Sequence, residues 1–438
     1  MALRTRTAGA AVAATVLTLA TACGGSDAPA AGSSDWSLPA QDPTATITVV
    51  GIVDPVEEGM NDVIAAFEQE HPTITVDYQF VPFDDLNTVL DSRIPNKNGD
   101  PDVFWADMPR IPATAERGYA EDLTDVFGEF TDSFDPAPVE AVTWEDSIWA
   151  LPIANSSQLL YYNADLLAQA GIAPPPADTA NRITWEQLGE DAKAAVDAGA
   201  QYGMLFGQFD RYYQLQPLPM SLGGSAGATG ERNLTPDITS PEWIRAFDWY
   251  GSIFAGGASP RGVPPEQTDP LFLSGAAAYT VQGPWLLPSL VDSGINWGVA
   301  PHPVFAGGEA VTPTGSWSLA MNPFSDAKEA AAIFMKWMAI DGGSGYTTHA
   351  PEPELPAHVD KEAYFAREVF QTPQGQQAAQ ILAYETANTA VNRVETVGYI
   401  EFEEILGRAF ADIRNGTPAE EALRTAATEL ETAWAQYR

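Results

Sequence analysis

Three stretches decide the fold class: Thr46-Ile47-Thr48-Val49-Val50, then Val63, Ile64, Ala66 and Phe67, then Ile74-Thr75-Val76-Asp77-Tyr78. The first and third alternate and are rich in β-branched residues, as strands are. The middle set recurs at helical spacing. His71-Pro72 ends it, because proline has no amide hydrogen and its ring clashes with the preceding turn. A third strand, Asp102-Val103-Phe104-Trp105, follows the turn Asn98-Gly99-Asp100-Pro101. Strand, helix and strand in this order imply a parallel sheet and an α/β fold.

Upstream, residues 24 to 43 are Gly, Ser, Ala, Pro and Asp with little to bury, so we expect a flexible tether there and a folded part that begins near Thr44. Before the tether stands Cys23, the only cysteine, so no internal disulfide is available. Arg4 and Arg6 give a positive n-region, and Ala8 to Ala22 is an apolar run too short for a comfortable transmembrane span. The run ends in the small residues Ala20-Thr21-Ala22. This arrangement resembles the bacterial lipobox and predicts a signal peptide over residues 1–22 with lipidation of Cys23. Ala20 stands where the usual lipobox leucine would be, with Leu19 one place earlier.

Downstream, Thr184-Trp185-Glu186-Gln187 and Thr417-Pro418-Ala419-Glu420 fit capping boxes, and Ser240-Pro241 starts another helix. Asp326 with Glu329 opens an amphipathic stretch through Ile333, Phe334, Trp337 and Met338. After the leader there is no second run of about twenty apolar residues.

The chain has 438 residues, 45% of them hydrophobic, which suffices for a large core and favours two lobes. Its formal net charge is −38. Such a surface repels phosphate backbones and anionic lipid headgroups, so nucleic acid is not an expected partner and the membrane is reached only through a lipid anchor. The histidines His71, His302, His349 and His358 have no metal-ligand spacing with cysteine, and no metal or cofactor is expected. The nucleophile elbow, the zinc-protease helix and the phosphate loop are all missing from the sequence. A glycoside-acting enzyme needs two carboxylates held across the scissile bond, but with 59 acids in the chain chance pairs carry no information.

Several segments resemble the extracellular solute-binding proteins of carbohydrate ABC importers, the maltose-binding-protein-like family. They are Asn98 to Asp107 with Gly118 to Leu123, then Leu151 to Ala154 with Leu160 to Leu167, then Ala170-Gly171-Ile172, Pro174-Pro175 and Thr184-Trp185, then Gln282-Gly283-Pro284-Trp285, and last Ser325 to Met338. The likeness runs from about Thr44 to the C-terminus. It implies two α/β lobes joined by crossing strands, each lobe discontinuous, with residues 44–152 and 317–345 in lobe one and 155–312 and 350–438 in lobe two. It further implies a lipid-anchored protein on the outer face of the cell membrane, monomeric, that captures a mono- to oligosaccharide and delivers it to the permease subunits of the importer. A binding protein for a glycerol phosphoester is the alternative within the class.

A sugar offers hydroxyls at its edge and apolar C–H faces, so its site needs acids, amides and aromatic rings converging in one cleft. The resemblance carries such roles onto Asp54, Trp105, Asp107, Asp210, Tyr212 and Trp285, and Trp317 sits at a crossing. Asn155, Ser156 and Gln158 fall at the first crossing and offer amide and hydroxyl groups; maltose-binding members carry an acid near Ser156. Tyr161 and Tyr162 alternate along a strand, so at most one faces the cleft. Glu403 lies near a position where relatives carry an aromatic, and Arg211 and Arg393 are the cations a phosphoester would want.

Overall fold

Two sheets, each with its own apolar core, organise the chain. In the computed structural model, which describes residues 36–56, 58–82, 85–351 and 354–438, their strands are β1 (Ala45–Gly51), β2 (Ile74–Phe80), β3 (Val103–Asp107), β4 (Leu151–Pro152), β5 (Leu159–Asn163), β6 (Tyr202–Phe206), β7 (Ala277–Gln282), β8 (Trp297–Pro301) and β9 (Trp317–Met321). The first sheet has the order β2-β1-β3-β9-β4 and the second β8-β5-β7-β6. Val49 of β1 stands opposite Tyr78 and Val103 in parallel register, as the strand-helix-strand pattern requires. β9 returns antiparallel beside β3, with Leu319 opposite Trp105 and Trp317 opposite Asp107. In the second sheet β7 is parallel to β6 and antiparallel to β5.

The helices that matter below are α1 (Met60–Glu70), α2 (Trp185–Asp197), α3 (Pro241–Ala255), α4 (Lys328–Ala339), α5 (Pro373–Asn388), α6 (Tyr399–Asn415) and α7 (Ala419–Ala433). α1 buries Met60, Val63 and Phe67 on one face and stops at His71. Thr184 caps α2 by accepting the Gln187 amide at 3.1 Å, while the Gln187 side chain turns to Asp191 instead of closing a full capping box. Ser240 caps α3 through the Trp243 amide. The box expected at Thr417 does not form. Pro418 is extended (ψ 136°), so it stands just outside α7 and the helix begins one residue later, with no side-chain cap.

Ile47, Phe67, Phe104, Trp105, Leu319 and Phe334 belong to the first core, and Leu160, Met204, Phe206, Trp243, Phe410 and Trp434 to the second. The first core draws on residues from Ile47 to Ala154 and again from Trp317 to Ala357. The chain therefore passes between the cores more than once. Ala154–Asn155 pairs antiparallel with Leu355–Pro356, and Thr312–Pro313 pairs in parallel with Ala390–Val391. Ala350 and Ala357 pack in the first core and Leu355 in the second. This segment is shared between the cores, whereas the sequence reading assigned it wholly to lobe two.

The tether expected over residues 23–43 ends sooner than composition suggested. Trp36 and Leu38 pack against the first core, the Trp36 indole N–H donates to Glu121 at 2.9 Å, and Asp42 pairs with His71 at 2.8 Å. Two apolar side chains in a polar stretch suffice to dock it. Cys23 and the leader lie outside the described residues. No described helix is long and apolar enough to cross a membrane.

Candidate functional site

The two sheets point their connecting loops at a cleft of about 450 Å³. Asp107 ends β3, and Ser316 and Trp317 open β9 beside it, so the first core contributes an acid, a hydroxyl and an indole at one strand edge. Glu58 and Tyr346 complete that wall, and the second core supplies Tyr213, Asp269, Trp285 and Arg393. Ser156, at a crossing, joins the walls: its hydroxyl donates to the Gly315 carbonyl at 2.8 Å and accepts from Tyr213 Oη at 2.7 Å. Gly315 has φ +82°, a conformation that a β-carbon would strain.

The loop after β7 shows why its sequence is needed. The Trp285 ring folds back over Gly283, where a β-carbon would sit 2.0 Å from the indole. Pro284 fixes φ at the turn. The Trp285 ring lies 6.5 Å from the Tyr213 ring, and the Arg393 guanidinium lies over that same Tyr213 ring at 5.1 Å. Trp317 lies 6.0 Å from Trp105 on the opposite wall. The cleft thus holds aromatic surfaces from both cores with polar groups between them.

Its electrostatics are dominated by carboxylates. Five acids line it, Glu58, Asp107, Asp269, Glu354 and Glu403, against two cations, Arg211 and Arg393. Asp107 and Arg393 meet in a two-pronged pair, 2.5 and 2.9 Å, that crosses from the first core to the second. Burial pushes the Asp107 carboxyl up, while the Arg393 guanidinium opposes this and favours its ionised form. A second crossing pair, Arg110 with Glu403 at 2.5 Å, lies behind it. Glu354 accepts from the Ser316 hydroxyl. Burial and the nearby carboxylates of Glu58 and Asp107 push it up to about 7, against the Ser316 hydrogen bond. Burial also raises Asp269, opposed by Gln282 and Thr268.

Of the residues singled out in the sequence, Asp107, Ser156, Trp285 and Trp317 line this cleft, as do Glu403, Arg211 and Arg393. Six of the proposed ligand contacts, Asp54, Trp105, Asn155, Gln158, Asp210 and Tyr212, are placed elsewhere, for reasons the sequence does not display. Trp105 is 1% exposed: its ring fills the space over Gly51 and meets Tyr346 edge-on. Asp54 accepts the Val56 amide at 2.7 Å as a turn residue, and Glu58 of the same loop lines the cleft instead. Asn155 clips the crossing, its carbonyl oxygen accepting from the Ser156 and Gly315 amides and the Thr314 hydroxyl. Gln158 is buried against Gln214. Asp210 pairs with Arg414 at 2.8 Å and accepts from Tyr250. Tyr212 is fully buried against Phe402, with its hydroxyl on the Ala226 carbonyl. One step along that short helix rotates the side chain by about 100°, which sends Tyr213 to the cleft and Tyr212 to the core. Neither Asp269 nor Glu354 carries a local sequence signal. Among the described residues no group of three His, Cys, Asp or Glu could hold a metal ion.

Comparison with known proteins agrees with this architecture. The sequence matches the bacterial extracellular solute-binding protein family over residues 54–343. It is 24% identical over 338 residues to the maltodextrin-binding protein MdxE of Bacillus subtilis, covering 75% of this chain and 77% of that protein. It is 28% identical over 308 residues to the mannitol-binding protein of Pseudomonas aeruginosa, covering 67% and 68%. Among solved structures, an ABC substrate-binding protein from Listeria monocytogenes in complex with cycloalternan superposes with TM-score 0.77 at 22% identity, over 90% of this chain and 100% of that one. The GacH receptor of Streptomyces glaucescens gives 0.75 at 22%, over 91% and 100%. A parallel-sheet lobe with a returning antiparallel strand, a second lobe around its own sheet, a cleft between them and a sequence match over most of the folded chain lead to one conclusion: this chain belongs to the bacterial extracellular solute-binding proteins.

Proposed function

We propose that the cleft captures an uncharged sugar or polyol, from monosaccharide to oligosaccharide, and that the loaded protein delivers it to the permease of an ABC importer. The observation that carries this reading is the pairing of indoles from both walls, Trp285 and Trp317, with carboxylates at the same cleft. Rings cover C–H faces, and carboxylates accept from hydroxyls. The maltodextrin- and mannitol-binding relatives support the class. Asp107, Ser156, Trp285 and Trp317 are the proposed contacts. The phosphoester alternative is disfavoured by five acids against two arginines in the lining.

The two cores are the proposed lobes, which close about the crossings near Ala154 and Gly315. Closure needs contacts that both lobes make only when shut. Cys23 is the proposed lipid attachment, which would hold a monomer at the outer face of the membrane. Thermal-shift and calorimetric screening with mannitol, maltotriose and galactose tests the ligand class, since binding to the folded state alone raises its apparent stability. Saturable binding of a neutral member, insensitive to salt, is expected; tight binding of glycerol phosphoesters with no neutral ligand would overturn it. Cys23→Ala is expected to move the protein from the membrane fraction to the soluble one.

A further inference from the structure

The cation in the cleft raises a question that the neutral-solute reading leaves open. Arginine is the side chain best suited to clamp a phosphate or carboxylate, through parallel N–H donors. Arg393 lines the cleft, yet both of its terminal nitrogens are already taken by the two oxygens of Asp107, at 2.9 and 2.5 Å. The side chains are only 5% and 7% exposed. The Tyr213 ring covers the guanidinium at 5.1 Å. The fork that would take an anionic solute is therefore occupied by an acid of the opposite wall. Arg211, the other arginine of the lining, is not free either.

We propose that the Asp107–Arg393 pair is the charge filter of the cleft. Asp107 cancels the one buried guanidinium of the lining that would otherwise accept a phosphate or carboxylate. The cleft thereby selects uncharged polyhydroxylated solutes over sugar phosphates and sugar acids. The filter rests on the solute-capture reading above, and it works because the two residues come from different walls. A solute that pulled Arg393 from Asp107 would have to leave a buried carboxylate bare, which is costly.

The decisive experiment uses the full chain and reads specificity, which a purely structural pair would not move. In Asp107→Asn the guanidinium is uncovered. A saturable rise in melting temperature with inorganic phosphate, absent from the wild type, is expected, together with a shift of at least about ten-fold in preference toward glucose 6-phosphate over glucose. The double variant Asp107→Asn with Arg393→Met should lose this gain. If Asp107→Asn does not fold, Asp107→Ser uncovers the same guanidinium, and the same response to phosphate is expected. An unchanged response to phosphate in the variants that fold, or a wild type that already binds phosphate, would overturn the filter. A wild type that binds no neutral sugar or polyol counts against the solute reading alone, because the phosphate response does not depend on it.

Discussion

Arg393 with Asp107 and Arg182 with Glu385 are the same chemistry in two places. Each is a two-pronged arginine–carboxylate pair taken out of water. The second has contacts of 2.5 and 3.0 Å and side chains 4% and 0% exposed. The surroundings differ. Glu385 also receives the His302 amide at 3.3 Å and the Thr389 hydroxyl, and Arg182 donates further to the His302 and Thr179 carbonyls. Everything in that cluster lies on α5 or on segments packed around the second core. The cleft pair instead joins the end of β3 to the segment before α6, and its Arg393 Nε has no partner among the described residues. A buried pair saturated by its own lobe fixes a structure. A buried pair split between two walls and left partly unmatched fixes what those walls accept.

The largest effect that sharpens this contrast comes from the saturated pair. Glu385→Gln leaves the Arg182 charge buried without its counter-ion, which costs about 3–5 kcal/mol of stability. Urea unfolding should show it, with solute affinity of the folded fraction unchanged. A loss of affinity without a loss of stability would break the comparison.

On the cleft side the expected loss is in affinity. Trp285→Ala removes stacking area on the order of 60–100 Å², about 1.5–2.5 kcal/mol at the usual coefficient, or about a 10- to 70-fold weaker complex by calorimetry. If the ring were chiefly packing, its removal would cost roughly 3–5 kcal/mol of stability instead, with affinity retained at low temperature.

Glu354 ranks next. Its folded value of about 7 lies above the ordinary 4.5. The folded state therefore holds a proton that the unfolded state releases first. The stabilisation is complete below about pH 4.5 and is lost as pH rises through about 7. Glu354→Gln should flatten this fall by about 1–2 kcal/mol after allowance for partial exposure, read from melting temperatures across that window. Glu395, also pushed up to about 7 by burial and the nearby Glu140, keeps part of the slope. His302 acts with the opposite sign. Burial and then Arg182 lower it to about 3, so stability falls as the pH drops below 6.5, in the variant as in the wild type. The smallest effect belongs to Arg424 with Glu420 on α7, a solvent-exposed pair 2.7 Å apart. Arg424→Ala should change stability by no more than about 0.5 kcal/mol, which sets the scale for the buried pairs.

How far the sequence went can be judged residue by residue. The three opening strands and α1 were legible because period and capping are local properties: Val49, Val63 and Val76 declare their faces to near neighbours. The Gly283-Pro284-Trp285 loop was legible because its backbone and ring constrain each other within three residues. Tyr212 and Tyr213 were not separable in the same way. They are adjacent and chemically identical, about 100° apart around a short helix, and the angle at which that helix docks on Phe402 decides which one lines the cleft. Trp105 was read as a cleft residue, but the space over Gly51 exists only after β1 and β3 have paired.

By itself, then, the sequence determined an α/β chain with an acidic surface, a single cysteine near its N-terminus and a family likeness from about Thr44 onward. Tertiary structure decided which acids meet which arginines. Asp107 and Arg393 are 286 residues apart, and neither carries a local mark that it will find the other. Their pairing follows from two separately folded cores brought face to face by the crossing segments. At that junction charge is no longer screened by water, so distance and burial, rather than residue type, set what each group does.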